Sequence, residues 1–118
     1  MKNNHQGFRR LISAANYSKQ GFVSSWQSEA AIRQELMALL VLLPFAFWVD
    51  VSAVERALLV LSILLVLVVE LLNTGLEAIV DRIGSEYHEL SGKAKDIGSA
   101  AVLTMLVTAI LVWGIILI

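Results

Sequence analysis

Cysteine is absent from this chain of 118 residues, proline occurs once and glycine seven times. Without thiols there is no disulfide, no thiolate metal site and no cysteine nucleophile. So little turn-forming material, and no sustained alternation of period two, excludes a β-rich fold and a membrane β-barrel in particular. Charge is also scarce, at 16% of residues with a net value of -1, which gives no electrostatic footprint for nucleic acid. What is abundant is apolar surface: 58% of residues are hydrophobic and the mean hydropathy is +0.75. Such a chain finds its solvent in lipid or in partner subunits, and its regular structure is predicted to be helical. One domain, residues 1–118, accounts for the whole length.

Residues 1–6 are polar and lack the apolar stretch of a signal peptide, so the amino terminus is expected to be retained. From residue 7 to 26, Phe8, Leu11, Ile12, Ala15, Phe22, Val23 and Trp26 recur at helical spacing while Arg9, Arg10, Ser13, Asn16, Gln20 and Ser24 take other faces. That pattern predicts an amphipathic helix lying on a membrane surface. The uncharged run Leu36 to Val49, interrupted only by Pro44, reaches about 21 Å as a helix. Crossing roughly 30 Å of hydrocarbon requires it to begin near Ala30. Trp48 then sits where an interfacial anchor belongs. Two further spans are predicted at about 56–82 and 95–118, separated by a polar loop from Asp81 to Asp96 and capped at Ser91 and Gly92. Lys2, Arg9, Arg10, Lys19, Arg82, Lys93 and Lys95 share one side of the membrane, and the short first turn has only Arg56. The excess of cations places the amino terminus and the second loop in the cytoplasm.

The second span departs from its apolar surroundings at Glu70, Asn73, Thr74, Glu77 and Asp81, which at 100° per residue fall within an arc of about 100°. A charge at the bilayer centre costs about 2.5–3.5 kcal/mol on insertion scales, so these groups face protein, water or a cation. Measured along the axis from Arg82, Glu77 lies about 7.5 Å and Glu70 about 18 Å in, so the stripe descends from the cytoplasmic boundary. Three readings compete. The groups could be helix-to-helix glue, for which paired glutamates are a poor choice. They could exchange protons with a cationic substrate, as in a small transporter. Or they could act on a lipid hydroxyl, one carboxylate as general base and another holding Mg²⁺ with phosphates. Only the last also employs Arg9, Arg10, Lys95 and Asp96. No Walker loop is present: Gly84, Gly92 and Lys93 have the wrong spacing. Gly98, Ser99, Ala100 and Ala101 form a small-residue patch that points to close helix packing.

The run from Glu70 to Asp96, with Asn73, Glu77, Asp81, Arg82, Gly84, Glu86, His88, Gly92 and Lys95 in their spacing, resembles the signature of the bacterial diacylglycerol kinase family. The resemblance extends to Gly7-Phe8 with Arg10, Ala14-Ala15, Tyr17-Ser18, Glu29-Ala30-Ala31, Arg33-Gln34-Glu35 and Trp48-Val49-Asp50. It implies a homotrimer in the inner membrane, with three spans and one surface helix per subunit. It also implies transfer of the γ-phosphate of MgATP to diacylglycerol at sites formed between subunits on the cytoplasmic face. By the same resemblance Glu70 is the general base and Asn73 its support, and Glu29 and Glu77 hold Mg²⁺. Arg10, Tyr17, Glu29, Glu77, Glu86, His88, Lys95 and Asp96 surround the nucleotide. Arg10, Ala14, Trp26, Ala31, Ile32, Arg33, Gln34, Glu35, Trp48, Arg56, Glu70 and Ser99 meet the lipid. A sister branch phosphorylates undecaprenol with the same stripe, and the segment from Arg82 to Gly92 favours diacylglycerol.

Overall fold

The computed structural model describes residues 7–84 and 86–118; Lys2, counted above among the cytoplasmic cations, and position 85 of the signature lie outside them. Four helices follow in order: α1 (Phe8–Ser28), α2 (Ala30–Trp48), α3 (Ala53–Ile83) and α4 (Glu89–Leu117). The last three are long and apolar enough to cross a membrane. At 1.5 Å per residue, the 31 residues of α3 extend about 46 Å, well beyond the hydrocarbon thickness. Its length agrees with a molecule whose longest dimension is 49 Å.

The turns between elements explain where each helix starts. Glu29 is extended (φ -124°) and serves at once as the C-cap of α1 and the N-cap of α2, its N–H donating to the Ser25 carbonyl at 2.9 Å. Ser52 and Glu55 form a reciprocal capping box at the start of α3: the Glu55 N–H donates to Ser52 Oγ at 3.2 Å and the Ser52 N–H to Glu55 Oε1 at 2.9 Å. Helix α4 begins earlier than its sequence predicts. His88, not Ser91 or Gly92, is the N-cap, with Nδ1 accepting from the Leu90 N–H at 3.0 Å. The polar stretch from Asp81 to Asp96 is therefore mostly helix, because charged residues outside the hydrocarbon do not interrupt a helix that begins with Glu89 in its first turn.

Helix α3 packs against both α2 and α4, whereas α1 touches mainly α2. The core is small: Ile32, Leu39, Ile63 and Leu67 are buried, flanked by Leu36, Leu42, Leu43, Leu71 and Trp113. Trp113 closes the far end of the bundle, its indole N–H donating to Ser62 Oγ (3.1 Å) and the Leu59 carbonyl (3.2 Å) while its ring stacks on Phe45. Helix α4 contributes only Gly98 and Ala109 as buried residues. Leu103, Leu106, Val107, Ile110, Leu111 and Ile115 remain exposed, a surface suited to lipid or to other chains.

Candidate functional site

The carboxylate stripe meets the break between α1 and α2. Because Glu29 is extended between two helices, its side chain reaches an open cleft of about 580 Å³ whose opposite wall is α3. Ser18, Gly21, Ser25 and Glu29 form one wall; Thr74, Glu77 and Asp81 form the other. Glu29 and Glu77 both act electrostatically on Glu70, and Glu70 on Glu35. Glu70 thus has three carboxylate neighbours, and a cation or a group carrying protons relieves the repulsion it shares with each. Thr74 does not add to it, since its hydroxyl donates to the Glu70 carbonyl at 2.9 Å, a local bond within α3.

A second cleft of about 390 Å³ lies beyond the first, lined by Val80, Asp81, Gly84, Glu86, Tyr87, His88, Ser91, Gly92 and Lys95. Asp81 lines both, and accepts a 2.7 Å ion pair from Lys95 Nζ. Lys95 also feels the Glu77 carboxylate. Residues that the sequence reading assigned to one nucleotide thus occupy two adjoining clefts: Glu29 and Glu77 in the first, Glu86, His88 and Lys95 in the second. Arg10, Tyr17 and Asp96 lie outside both linings. Arg10 is in the first turns of α1, Tyr17 stands beside the lining residue Ser18, and Asp96 follows Lys95 on an exposed position.

No group of three or more carboxylate, histidine or cysteine side chains among the described residues could hold a metal by itself. Two carboxylates from different elements facing one cleft are nonetheless what Mg²⁺ requires when phosphate oxygens and water complete its shell. Glu29 and Glu77 fit that pattern.

The residues expected to touch lipid divide into several kinds. Ile32 is wholly buried in the core, clustered with Leu39, Ile63 and Leu67, so within this chain its side chain is turned to the other helices. Arg33 Nη1 donates to the Trp26 carbonyl at 2.6 Å, satisfying the open end of α1. Arg56 donates to the carbonyls of Ala46 (2.6 Å), Val49 (3.0 Å) and Val51 (3.3 Å), closing the end of α2. It also stands at the edge of an apolar groove lined by Phe47, Ala57, Val60, Leu61 and Leu64. Ala14, Trp26, Ala31, Gln34, Trp48 and Ser99 are exposed, and Glu35 is partly so.

Two placements were not readable from the sequence. Asp81 was visible in the stripe but had no assigned role until its place between the clefts was seen. Asn73 has its Oδ1 buried without a hydrogen-bond partner, pressed against α4 at Gly98. The isolated glycine at 98 was the available signal, read only as part of a packing patch.

The chain matches the family model described as prokaryotic diacylglycerol kinase over residues 16–117. It is 55% identical to a protein named diacylglycerol kinase from Escherichia coli K12 over 117 residues, covering 99% of this chain and 96% of that one. A Pseudomonas aeruginosa protein of the same name is 47% identical over 111 residues, 94% of this chain and 90% of its own. One from Helicobacter pylori is 41% identical over 109 residues, 92% and 85% of the two chains.

Proposed function

This chain belongs to the prokaryotic diacylglycerol kinase family, and on that premise we propose that the carboxylates of α3, with Glu29, carry out its chemistry. The chain is an ATP-dependent lipid kinase and a multi-pass membrane protein, acting on diacylglycerol to give phosphatidic acid.

The observation that supports this site is the convergence of Glu29 and Glu77 on one cleft, both within electrostatic reach of Glu70. Glu70 is the general base. As the lipid hydroxyl oxygen attacks the γ-phosphorus, Glu70 takes its proton, the bond from that phosphorus to the β–γ bridging oxygen breaks, and ADP leaves. Lys95, in the second cleft and paired with the Asp81 that borders both, exchanges that contact for phosphate oxygens. Glu29 and Glu77 would hold Mg²⁺, which when bound supplies neutralising charge to the phosphates. Asn73 supports Glu70 from one turn away on the same helix face, and Arg10, Tyr17, Glu86, His88 and Asp96 complete the nucleotide's surroundings. The lipid stays in its leaflet and presents its hydroxyl to Glu70, so the membrane supplies much of the positioning on which phosphoryl transfer depends.

The same reading makes α1 an amphipathic helix on the cytoplasmic surface of the bacterial inner membrane. Its exposed Phe8, Leu11, Phe22 and Trp26 support that placement. It also makes the working molecule a homotrimer whose sites lie between subunits, supported by the broad exposed apolar face of α4.

The test is ATP-dependent phosphate transfer in mixed micelles offering diacylglycerol and undecaprenol separately, with Glu70→Gln in parallel. Phosphatidic acid formed by the parent and lost, by about a hundredfold or more, in the variant is the expected result. Transfer only to undecaprenol moves the chain to the sister branch; full activity in Glu70→Gln removes that residue as the base.

A further inference from the structure

Gly98 lies inside α4, where glycine is a poor choice on backbone grounds: it loses more conformational freedom than alanine and contributes no side chain to packing. A glycine there has a reason in what approaches it. The residue is buried, and a Cβ built on it would overlap Asn73 Oδ1 and come within 3.1 Å of Asn73 Cγ. Gly75 and Gly114, helical glycines on α3 and α4, have nothing within 4 Å of such a Cβ, so the close approach is particular to position 98. Asn73 Oδ1 is also the buried side-chain polar atom left without a hydrogen-bond partner among the described residues. A Cα–H is at best a weak donor to it, so this contact is held by shape rather than by a strong bond.

We propose that Gly98 is a positioning residue for lipid phosphorylation: its bare Cα lets the Asn73 amide lie flat against α4 with Oδ1 inward. In this account the other end of the amide, Nδ2, is the end that serves Glu70 on the same stripe. This rests on the kinase reading of that stripe. Gly98 touches neither nucleotide nor lipid in this account; it acts through Asn73. A methyl group at 98 forces the amide into another rotamer, since a helix backbone gives less readily than a short side chain. Displacement of a supporting group by about an ångström is enough to cost turnover roughly a hundredfold.

The experiment compares parent, Gly98→Ala, Asn73→Ala and the double variant, each as the full chain in the same mixed micelles. Gly98→Ala is expected to lower kcat roughly ten- to hundredfold while KM for ATP and for diacylglycerol stay within about twofold. In the Asn73→Ala background, where space has been made and the amide is gone, the same change at 98 has no further effect on kcat, the mark of two residues acting as a unit. The side-chain amide resonances of Asn73, followed by ¹⁵N-labelled NMR, shift in Gly98→Ala. Multiplicative losses in the double variant, or a Gly98→Ala enzyme with parental turnover and unmoved Asn73 resonances, overturn the inference alone. A Gly98→Ala chain that loses its fold while the double variant recovers it supports the same packing contact. A parent without transfer activity removes the kinase reading and the positioning role together.

Discussion

Glu70 and Glu77 were legible because a carboxylate in an apolar run has an unfavourable transfer energy that needs a reason, and because both fall on one face at helical spacing. Glu29 was not legible from periodicity. Its importance comes from the helix break it occupies, which turns it toward α3, and such a contact is fixed only when the helices pack. Arg33 and Arg56 lie between these cases. Their charge was evident, but the open carbonyls they satisfy exist only once α1 and α2 have ended where they do. The proposed metal role of Glu29 and Glu77 carries a prediction at this scale. Glu29→Gln and Glu77→Gln keep the shape of each side chain but remove one negative charge from the cleft. Each is expected to raise the Mg²⁺ concentration for half-maximal turnover by roughly tenfold or more, with KM for diacylglycerol little changed. A Mg²⁺ titration of both variants checks it. An unchanged midpoint in both removes them as metal ligands.

Among the elements, α3 was the most readable and the start of α4 the least. The stretch from Asp81 to Asp96 is polar, and polarity was read as loop, yet polarity says where the hydrocarbon ends rather than where the helix ends. His88 supplies the cap that sets the actual boundary, and a histidine in that role has no strong sequence signature. The hinge between α1 and α2 is where an element-scale prediction belongs. Helix α1 contacts chiefly α2, and the Arg33 bond to the Trp26 carbonyl holds its end beside Glu29. Arg33→Met keeps much of the aliphatic stem and removes the donor. If Arg33 is mainly a brace, α1 loosens, the cleft it walls widens, and KM for ATP rises about three- to tenfold while the bundle of α2, α3 and α4 melts as in the parent. A rise confined to KM for diacylglycerol would instead assign Arg33 to the lipid.

For the molecule as a whole, orientation decides whether the clefts can meet ATP at all. Helix α3, about 46 Å long, exceeds roughly 30 Å of hydrocarbon, so one end must project into water or the helix must tilt strongly. Its amino-terminal end is capped at Ser52 beside the short turn with Asp50, while its carboxyl-terminal end carries Glu77, Asp81 and Arg82 and borders both clefts. Charge favours projection at the second end, and the cations that flank it favour the cytoplasm. The absence of cysteine makes this directly measurable, since any introduced thiol is the chain's own label site. Tyr87, 88% exposed in the connection between α3 and α4, and Asp50, exposed in the opposite turn, are suitable positions. In sealed inside-out vesicles a membrane-impermeant maleimide should label Tyr87→Cys and spare Asp50→Cys, and in right-side-out vesicles the pattern should invert. The reverse result would put the clefts, Lys95 and the carboxylate stripe on the side without ATP, and the cytoplasmic placement of the active site would be wrong even with the family and the chemistry unchanged. Labelling of both positions from one side would mean that α3 does not cross, and the clefts would then have to be sought at the membrane surface.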